Sequence, residues 1–242
     1  MKLGIVITTY YRPDGRTRQY LIRALTSIKQ QTHRDYLVYV MGDAYSNPKE
    51  FTELSMMFPG FQFINLPHAV ERSKYAFGTM QLWCAGGVTA AVVGINLALS
   101  HGVKYICHLD HDDWWSEEHL ARINQVIEER DAFFVCTMST WIDEILPKIS
   151  PIGNIVDDFY PLPRGIICSS TCVKYADTLL RPRDVFAVTG RAEPADLDLW
   201  ERLTVQMKTE GWHGYVYAGL TCHHDEEGYT LRCRPLKHQF LK

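Results

Sequence analysis

An α/β fold built on a doubly wound, mostly parallel sheet is predicted by three features of this sequence. Short apolar runs alternate with amphipathic helical patterns along the first half of the chain. The runs at residues 3–8, 36–41 and 105–109 are nearly continuous, as in strands buried on both faces. Three of the segments that follow such runs carry acids, aromatic rings and an arginine, and open α/β sheets bind ligands at that edge. With 242 residues, one large domain with a sizeable core is within reach.

Each element has its own signal. The run Leu3 to Thr8 predicts the first strand and ends in Thr9-Tyr10-Tyr11-Arg12-Pro13-Asp14-Gly15, a loop rich in turn formers. Tyr20, Leu21, Ala24, Leu25 and Ile28 recur at helical spacing and predict a helix over 17–30. A strand at 36–41 meets Gly42-Asp43; a helix near 49–57 and a strand at 61–66 follow. Residues 67–87 read as irregular and end in Gly86-Gly87. Val88, Ala91, Val92, Ile95 and Leu99 then mark a helix, and 105–109 the next strand. Leu120, Ile123, Val126 and Ile127 give another amphipathic helix, and 133–137 a fifth strand. Residues 141–165 carry four prolines and little periodicity, which predicts a long loop or lid. Beyond it, 166–169 reads as a strand, 173–180 and 196–208 as helices, and 215–218 as a last short strand. The tail over 232–242 is basic and unpatterned.

Composition narrows the function. A net charge of −3 excludes a nucleic-acid binder that relies on a broad basic surface. No run approaches the roughly twenty apolar residues of a membrane span, and residues 3–7 are too short for the core of a signal peptide. Seven cysteines, an odd number without a CxxC pair, argue against a zinc ribbon and for a reduced, cytoplasmic protein. Cys107 and Cys136 fall in strands and read as small buried hydrophobes.

The chemistry gathers at His108-Leu109-Asp110-His111-Asp112-Asp113-Trp114-Trp115. Three carboxylates within four residues repel one another unless a cation or strong donors intervene. On an extended chain Asp110 and Asp112 point one way and Asp113 the other. Mg²⁺ and Mn²⁺ reach proteins through such acids together with phosphate oxygens. The competing reading, acids at the entry of a helix near Ser116, accounts for Asp113, Glu117 and Glu118 but not Asp110. The other two segments complement the acids. Tyr11 and Arg12 suit a base and a phosphate, and Asp43 suits a base N–H or a ribose hydroxyl. Equally, Asp43 is a turn former beside Gly42 and Tyr11 a cover for the sheet edge. Trp114 and Trp115 suit a sugar face or the core. His108 and His111 fall on opposite sides of Asp110, so one of them faces the site. A nucleoside diphosphate fits all three segments.

In this order of motifs the chain resembles the inverting family-2 glycosyltransferases of GT-A fold. The resemblance covers residues 3–137 and, less fully, 190–225. Ile5-Val6-Ile7-Thr8-Thr9-Tyr10-Tyr11-Arg12 is similar to that family's first strand and base-binding loop, and Leu109-Asp110-His111-Asp112-Asp113 resembles its DxD motif. What the resemblance implies is one GT-A domain, with 1–137 as the nucleotide-sugar half and 138–242 as the acceptor half. It implies a nucleotide-sugar donor, a UDP-sugar ahead of GDP- or dTDP-sugars, and a role in glycan or polysaccharide synthesis. Thr9, Tyr11, Arg12, Asp43 and Asp110 would hold the donor, and Asp112 would bind Mn²⁺ or Mg²⁺. His223, or its neighbour His224, would join the metal or the diphosphate.

The segment Ala195-Asp196-Leu197-Asp198-Leu199-Trp200-Glu201-Arg202-Leu203 resembles the stretch carrying the family's catalytic base. Asp196 fills that role, with Glu193 and Asp198 as the other candidates; an acid opening a helix is also a common N-cap. The family's usual acid pair is here Ala195-Asp196, and Ile95 replaces the basic residue expected before Asn96. The acceptor is open among glycan, lipid-linked molecule and protein, with Trp141 and Tyr160 as candidate stacking rings. Two other functions fit the acids: a metal-dependent phosphohydrolase using His111-Asp112, and a non-catalytic sugar-nucleotide-binding module.

Overall fold

The computed structural model describes residues 1–141, 144–149, 154–161 and 165–224. From the N-terminus come β1 (Leu3–Thr9), α1 (Arg16–Lys29), β2 (Tyr36–Gly42), α2 (Pro48–Met57), β3 (Gln62–Asn65), α3 (Val70–Lys74), α4 (Met80–Ala85), α5 (Val88–Ser100), β4 (Tyr105–Asp110), β5 (Trp114–Trp115) and α6 (His119–Arg130). There follow β6 (Phe134–Trp141), β7 (Glu144–Leu146), β8 (Ile155–Val156), β9 (Thr171–Val173), α7 (Val185–Thr189), α8 (Ala195–Glu210) and β10 (Gly214–His223).

The strands form one mixed sheet in the order β3-β2-β1-β4-β9-β6-β10-β5, with β7 on β6 and β8 on β10. β3, β2, β1 and β4 run parallel, as does β10 beside β6. β9 is antiparallel to both β4 and β6, and so joins the two parallel blocks. Alternation of side chains along β1 divides the core. Ile5 and Ile7 pack with Leu21, Leu25 and Ile28 of α1 and with the apolar stripe of α6. Val6 faces the other way, with Met41, Ala90, Ile95 and Ala98, in the cluster that also buries Trp200, Leu203 and Met207 of α8.

The helix and strand expectations for the first half hold, and the differences have short elements as their cause. Residues 67–87 contain α3 and α4, at five and six residues too short for a 3.6-residue period to register. Residues 173–180 form no α-helix: Val173 ends β9, and a 3₁₀ turn at Tyr175–Asp177 is all that follows. The strand expected at 166–169 is found instead at β9, which begins two residues beyond that stretch. Within the expected loop, β7 and β8 add brief antiparallel pairings. The tail lies outside the described residues. One stretch, Met80–Ser100, is long and apolar enough to cross a membrane by length and composition. It is, however, two helices broken at Gly86-Gly87, and half of it is buried inside the protein.

Gly94 lets α5 lie close on the sheet. A Cβ there would stand 2.8 Å from both Met41 Cγ and Val6 Cγ1. Alanine would gain about 1 kcal/mol in helix propensity, but overpacking against a stiff valine costs about 1–3 kcal/mol. Gly94→Ala should therefore lower stability, read as a reduced urea midpoint with an unchanged slope.

Candidate active site

The carboxyl ends of β1, β2 and β4 come together because the three strands pair in register, Thr9 opposite Gly42 and Thr8 opposite Asp110. Two cavities open at this edge, one of about 130 Å³ and one of about 340 Å³. They share Thr8, Gly86, Gly87 and Asp110. Gly87 enters α5 at φ +82°, a conformation glycine adopts without strain.

The smaller cavity is lined by Thr9, Tyr10, Asp43, Arg72, His111 and Asp112 in addition to the shared residues. Asp43 is 1% exposed, and Arg72 of α3 donates from Nε to its Oδ2 at 2.8 Å. Its other oxygen, Oδ1, is buried without a partner among the described residues. Burial raises the Asp43 pKa, and Arg72 pulls against that shift. The Arg72 guanidinium also lies over the Tyr10 ring, 3.4 Å from its centroid. Arg12 donates from Nε to the Tyr10 hydroxyl at 2.6 Å, while its Nη1 and the Thr9 Oγ1 are buried without partners. Adjacent Glu71 anchors this group: its Oε1 accepts from the backbone N–H and hydroxyl of Thr89 in the first turn of α5.

Tyr11 is turned the other way. It sits edge-on to Tyr45 and packs on the core, so the cavity has Tyr10 where the sequence suggested Tyr11. Neighbouring side chains on an extended segment point in opposite directions.

The acid loop shows the same parity. Asp110 and Asp112 face the smaller cavity, and Asp113 is fully buried behind them. Asp113 Oδ1 is 2.8 Å from His224 Nδ1, an ion pair whose partners are 0% and 7% exposed. Burial opposes the charge on His224, yet Asp113, and then Asp112 and Asp110, raise its pKa above the ordinary value. The carboxyl of Asp110 lies well above the usual range, because surrounding protein desolvates it and Asp113, Asp112 and Asp196 add negative charge. The structure thus brings His224 to the acids. His223 instead stacks on Trp114 at 5.3 Å and shares a 3.0 Å hydrogen bond with the Ser116 hydroxyl.

Trp114 also lies under Arg23 of α1, at 4.1 Å from the guanidinium carbon, and Arg23 Nη2 donates to the Asp112 carbonyl at 2.5 Å. Trp115 is core, stacked on His119 with its indole N–H on the Ser169 carbonyl. Neither tryptophan lines a cavity. His108 and His111 both do: His108 borders the larger cavity and His111 the smaller. Burial lowers the His108 pKa to about 4 and leaves it a neutral partner of the Tyr175 hydroxyl.

The larger cavity is lined by Asp110, His224, Trp141 and, near the start of α8, Asp196. Burial raises the Asp196 pKa, against the backbone N–H groups of Leu197 and of Asp196 itself. Asp198 is held elsewhere: Arg183 forks onto both of its oxygens, and Arg202 Nε donates to Oδ2 at 2.7 Å. Glu193 does not line either cavity. Of the three acids considered for a base, Asp196 alone meets the cavity. Trp141 lines it too, tilted against His224 at 4.6 Å, whereas Tyr160 packs on the core beneath Lys208.

Hard divalent ions fit this donor set in one way. Among the described residues no three ligating side chains converge, and those at this edge offer one or two carboxylates. Mg²⁺ and Mn²⁺ are commonly bound so, with phosphate oxygens and water completing the shell. The uncompensated negative charge around Asp110 is the feature such an ion would relieve.

Sequence reasoning did not single out Arg72, Tyr10 or Trp83. Arg72 had a signal: chain leaving β3 must pass the edge where Asp43 ends β2, and an arginine there has a buried carboxylate to meet.

No protein-family model matches the chain. An uncharacterized glycosyltransferase of Acanthamoeba polyphaga mimivirus is 32% identical over 237 residues, covering 94% of this chain and 95% of that one. Among solved structures, S. aureus TarS 1–349 shares the fold with a TM-score of 0.63 at 11% identity, over 93% of this chain and 60% of that one. Its complex with UDP gives 0.61 at 12% identity, over 92% and 60%. Its complex with UDP-GlcNAc gives 0.61 at 11% identity, over 92% and 58%. The chain thus spans about 60% of the length of the TarS structure.

Removing Arg72 should expose the cost of the Asp43 charge. Losing one partner of a buried pair costs about 3–5 kcal/mol. A carboxyl whose folded pKa is raised loses stability as pH climbs from its unfolded value through its folded one. Arg72→Ala should therefore be more destabilised at pH 8 than at pH 4.5 in urea titrations, and Arg72→Ala combined with Asp43→Asn should lose that pH dependence.

Proposed function

The chain belongs to the glycosyltransferases, and from that premise we propose that it transfers a sugar from a UDP-sugar to an acceptor hydroxyl. The reading extends to a metal-dependent, inverting reaction of the GT-A, family-2 type. The observation that carries it is the meeting of the two cavities at Asp110, one holding unpartnered groups suited to a nucleotide and the other a single candidate base. The solved TarS structures with UDP and UDP-GlcNAc support the choice of donor.

In the smaller cavity the bare Oδ1 of Asp43 accepts from a base N–H, and the Tyr10–Arg72 stack supplies a flat cationic wall beside it. Thr9 Oγ1 and Arg12 Nη1 offer hydrogen bonds to ribose or phosphate. Asp112, with Asp110, would hold Mn²⁺ or Mg²⁺, which when bound neutralises charge developing on the diphosphate. Asp196 takes the proton of the acceptor hydroxyl as its oxygen bonds to the sugar's anomeric carbon. The bond from that carbon to the diphosphate breaks, and UDP leaves with the electron pair. One base and one in-line displacement invert the configuration; a retaining route would need a second carboxylate as nucleophile. Membership of the glycosyltransferases sets the phosphohydrolase reading aside, and the first two tests below separate an enzyme from a binding module.

UDP with Mn²⁺ should raise the melting temperature, and Asp112→Asn should remove the metal-dependent part of that shift. Asp196→Asn should keep the whole shift and lose sugar transfer by about 10²–10⁴-fold; undiminished transfer would refute the base. Because burial raises the Asp196 pKa, transfer should increase with pH along an acid limb centred above the ordinary carboxyl value of 3.8.

A further inference from the structure

The larger cavity has more apolar wall than a fully hydroxylated substrate needs. Among the described residues, Thr8, Asp110, Asp196, His108 and His224 are its groups able to hydrogen-bond through a side chain besides thiols and the indoles. His108 is already bonded to Tyr175, and His224 is ion-paired to Asp113. In the proposed reaction Asp196 is the base, and Asp110 serves the donor. The same cavity is walled by Trp83, Cys84, Ile166, Ile167 and Leu197, with Leu197 next to Asp196 in the chain. Cys84 is close enough that the charge of Asp196 adds to the rise of its thiol pKa to about 12, a rise that burial dominates. The apolar character continues outward on the same elements. Phe77, on the turn before α4, is 83% exposed, and Val188 of α7, which packs on α4, is 62% exposed.

A polyhydroxyl ring seated against Asp196 would leave hydroxyls facing these walls without partners among the described residues, and buried polar groups without partners are disfavoured. An aliphatic or aromatic group is favoured there, because it trades contact with water for contact with the wall. Where the acceptor sits follows from the lining: the transferred sugar must adjoin the diphosphate at Asp110, where the cavities join, and the nucleophilic hydroxyl must adjoin Asp196 in the larger cavity.

We propose that the acceptor is amphipathic, a hydroxyl carried beside an aliphatic or aromatic group, and that Trp83, Ile166, Ile167 and Leu197 form the seat for that group. This rests on the glycosyltransferase reading given above and specifies its second substrate.

The test uses the full chain saturated with UDP and Mn²⁺ and titrated calorimetrically with phenyl, octyl and methyl β-D-glucopyranoside. The first two should bind about tenfold or more tighter than the third. Preference for the phenyl compound would mark an aromatic acceptor, and preference for the octyl compound a lipidic one. Trp83→Ala and Ile167→Thr should each erase the discrimination and keep the UDP-induced thermal shift, which certifies the fold. Equal binding of all three glycosides, tighter binding of the methyl compound, or no binding of any would overturn the proposal while the UDP shift stands. Loss of the UDP shift in the unmodified chain would instead overturn the glycosyltransferase reading beneath it.

Discussion

Negative charge gathered where β4 ends is the constraint that the surrounding structure answers. Asp110, Asp112, Asp113 and Asp196 all act on that point, and Asp113 does so from a fully buried place, where repulsion is stronger than in water. The fold deals with the acids separately. Asp113 is withdrawn into the protein and given His224, whose pKa the acids raise against the opposing effect of burial. Asp112 is fixed through its carbonyl by Arg23, which stacks on Trp114, which in turn stacks on His223. Asp110 is held through its backbone, its N–H donating to the Ser169 hydroxyl and its carbonyl accepting from the Asp113 N–H, and its carboxyl is left facing the cleft. The residual charge is therefore concentrated where both cavities can use it.

Arginines are used quite differently on the two sides of the cleft. Asp198 is enclosed by Arg183 and Arg202, so that both of its oxygens are occupied and the start of α8 is tied to the chain before α7. Asp43 has a single arginine on one oxygen, and the other is kept bare in a buried place. Leaving such an atom unsatisfied costs stability, and the expense is sensible where a ligand supplies the missing donor. Two buried carboxylates of similar exposure are thus separated into a structural one and a receptive one by their second oxygen.

The sequence conveyed β1–β4 and β6, the helices α1, α2, α5 and α6 and the three polar segments, because those depend on local period and on the rule that sheets bind at their carboxyl ends. It conveyed Asp110, Asp112 and Asp43 as cavity residues for the same reason, and Asp196 through the resemblance of its helix start to the segment carrying a catalytic base. Choices between neighbours were harder. Tyr10 against Tyr11 and His224 against His223 turn on the parity of a side chain, and in each pair the two residue types are identical. β10 extends five residues past the strand expected at 215–218, through register shifts near Leu220, so the parity of its final histidines could not be counted from its start. α3 and α7 were missed because five residues hold too little periodicity, although α3 carries Arg72.

That parity also explains what the last strand does for the site. Pairing of His223 with Trp114 and of Cys222 with Trp115 places β10 antiparallel to β5, directly after the acids. A residue facing one side of that ribbon must stack on Trp114, and the next must turn toward Asp113. The two histidines consequently divide the work: one braces the outside of the acid loop through a ring stack, and the other neutralises its buried member. The Asp113–His224 pair joins the end of β10 to the loop after β4, and Trp141 at the end of β6 leans on the same histidine. Strands from both parallel blocks therefore meet at one imidazole. Any shift of β10 along β5 by a single residue would exchange the two rings, expose the charge of Asp113 and withdraw a wall of the larger cavity at once.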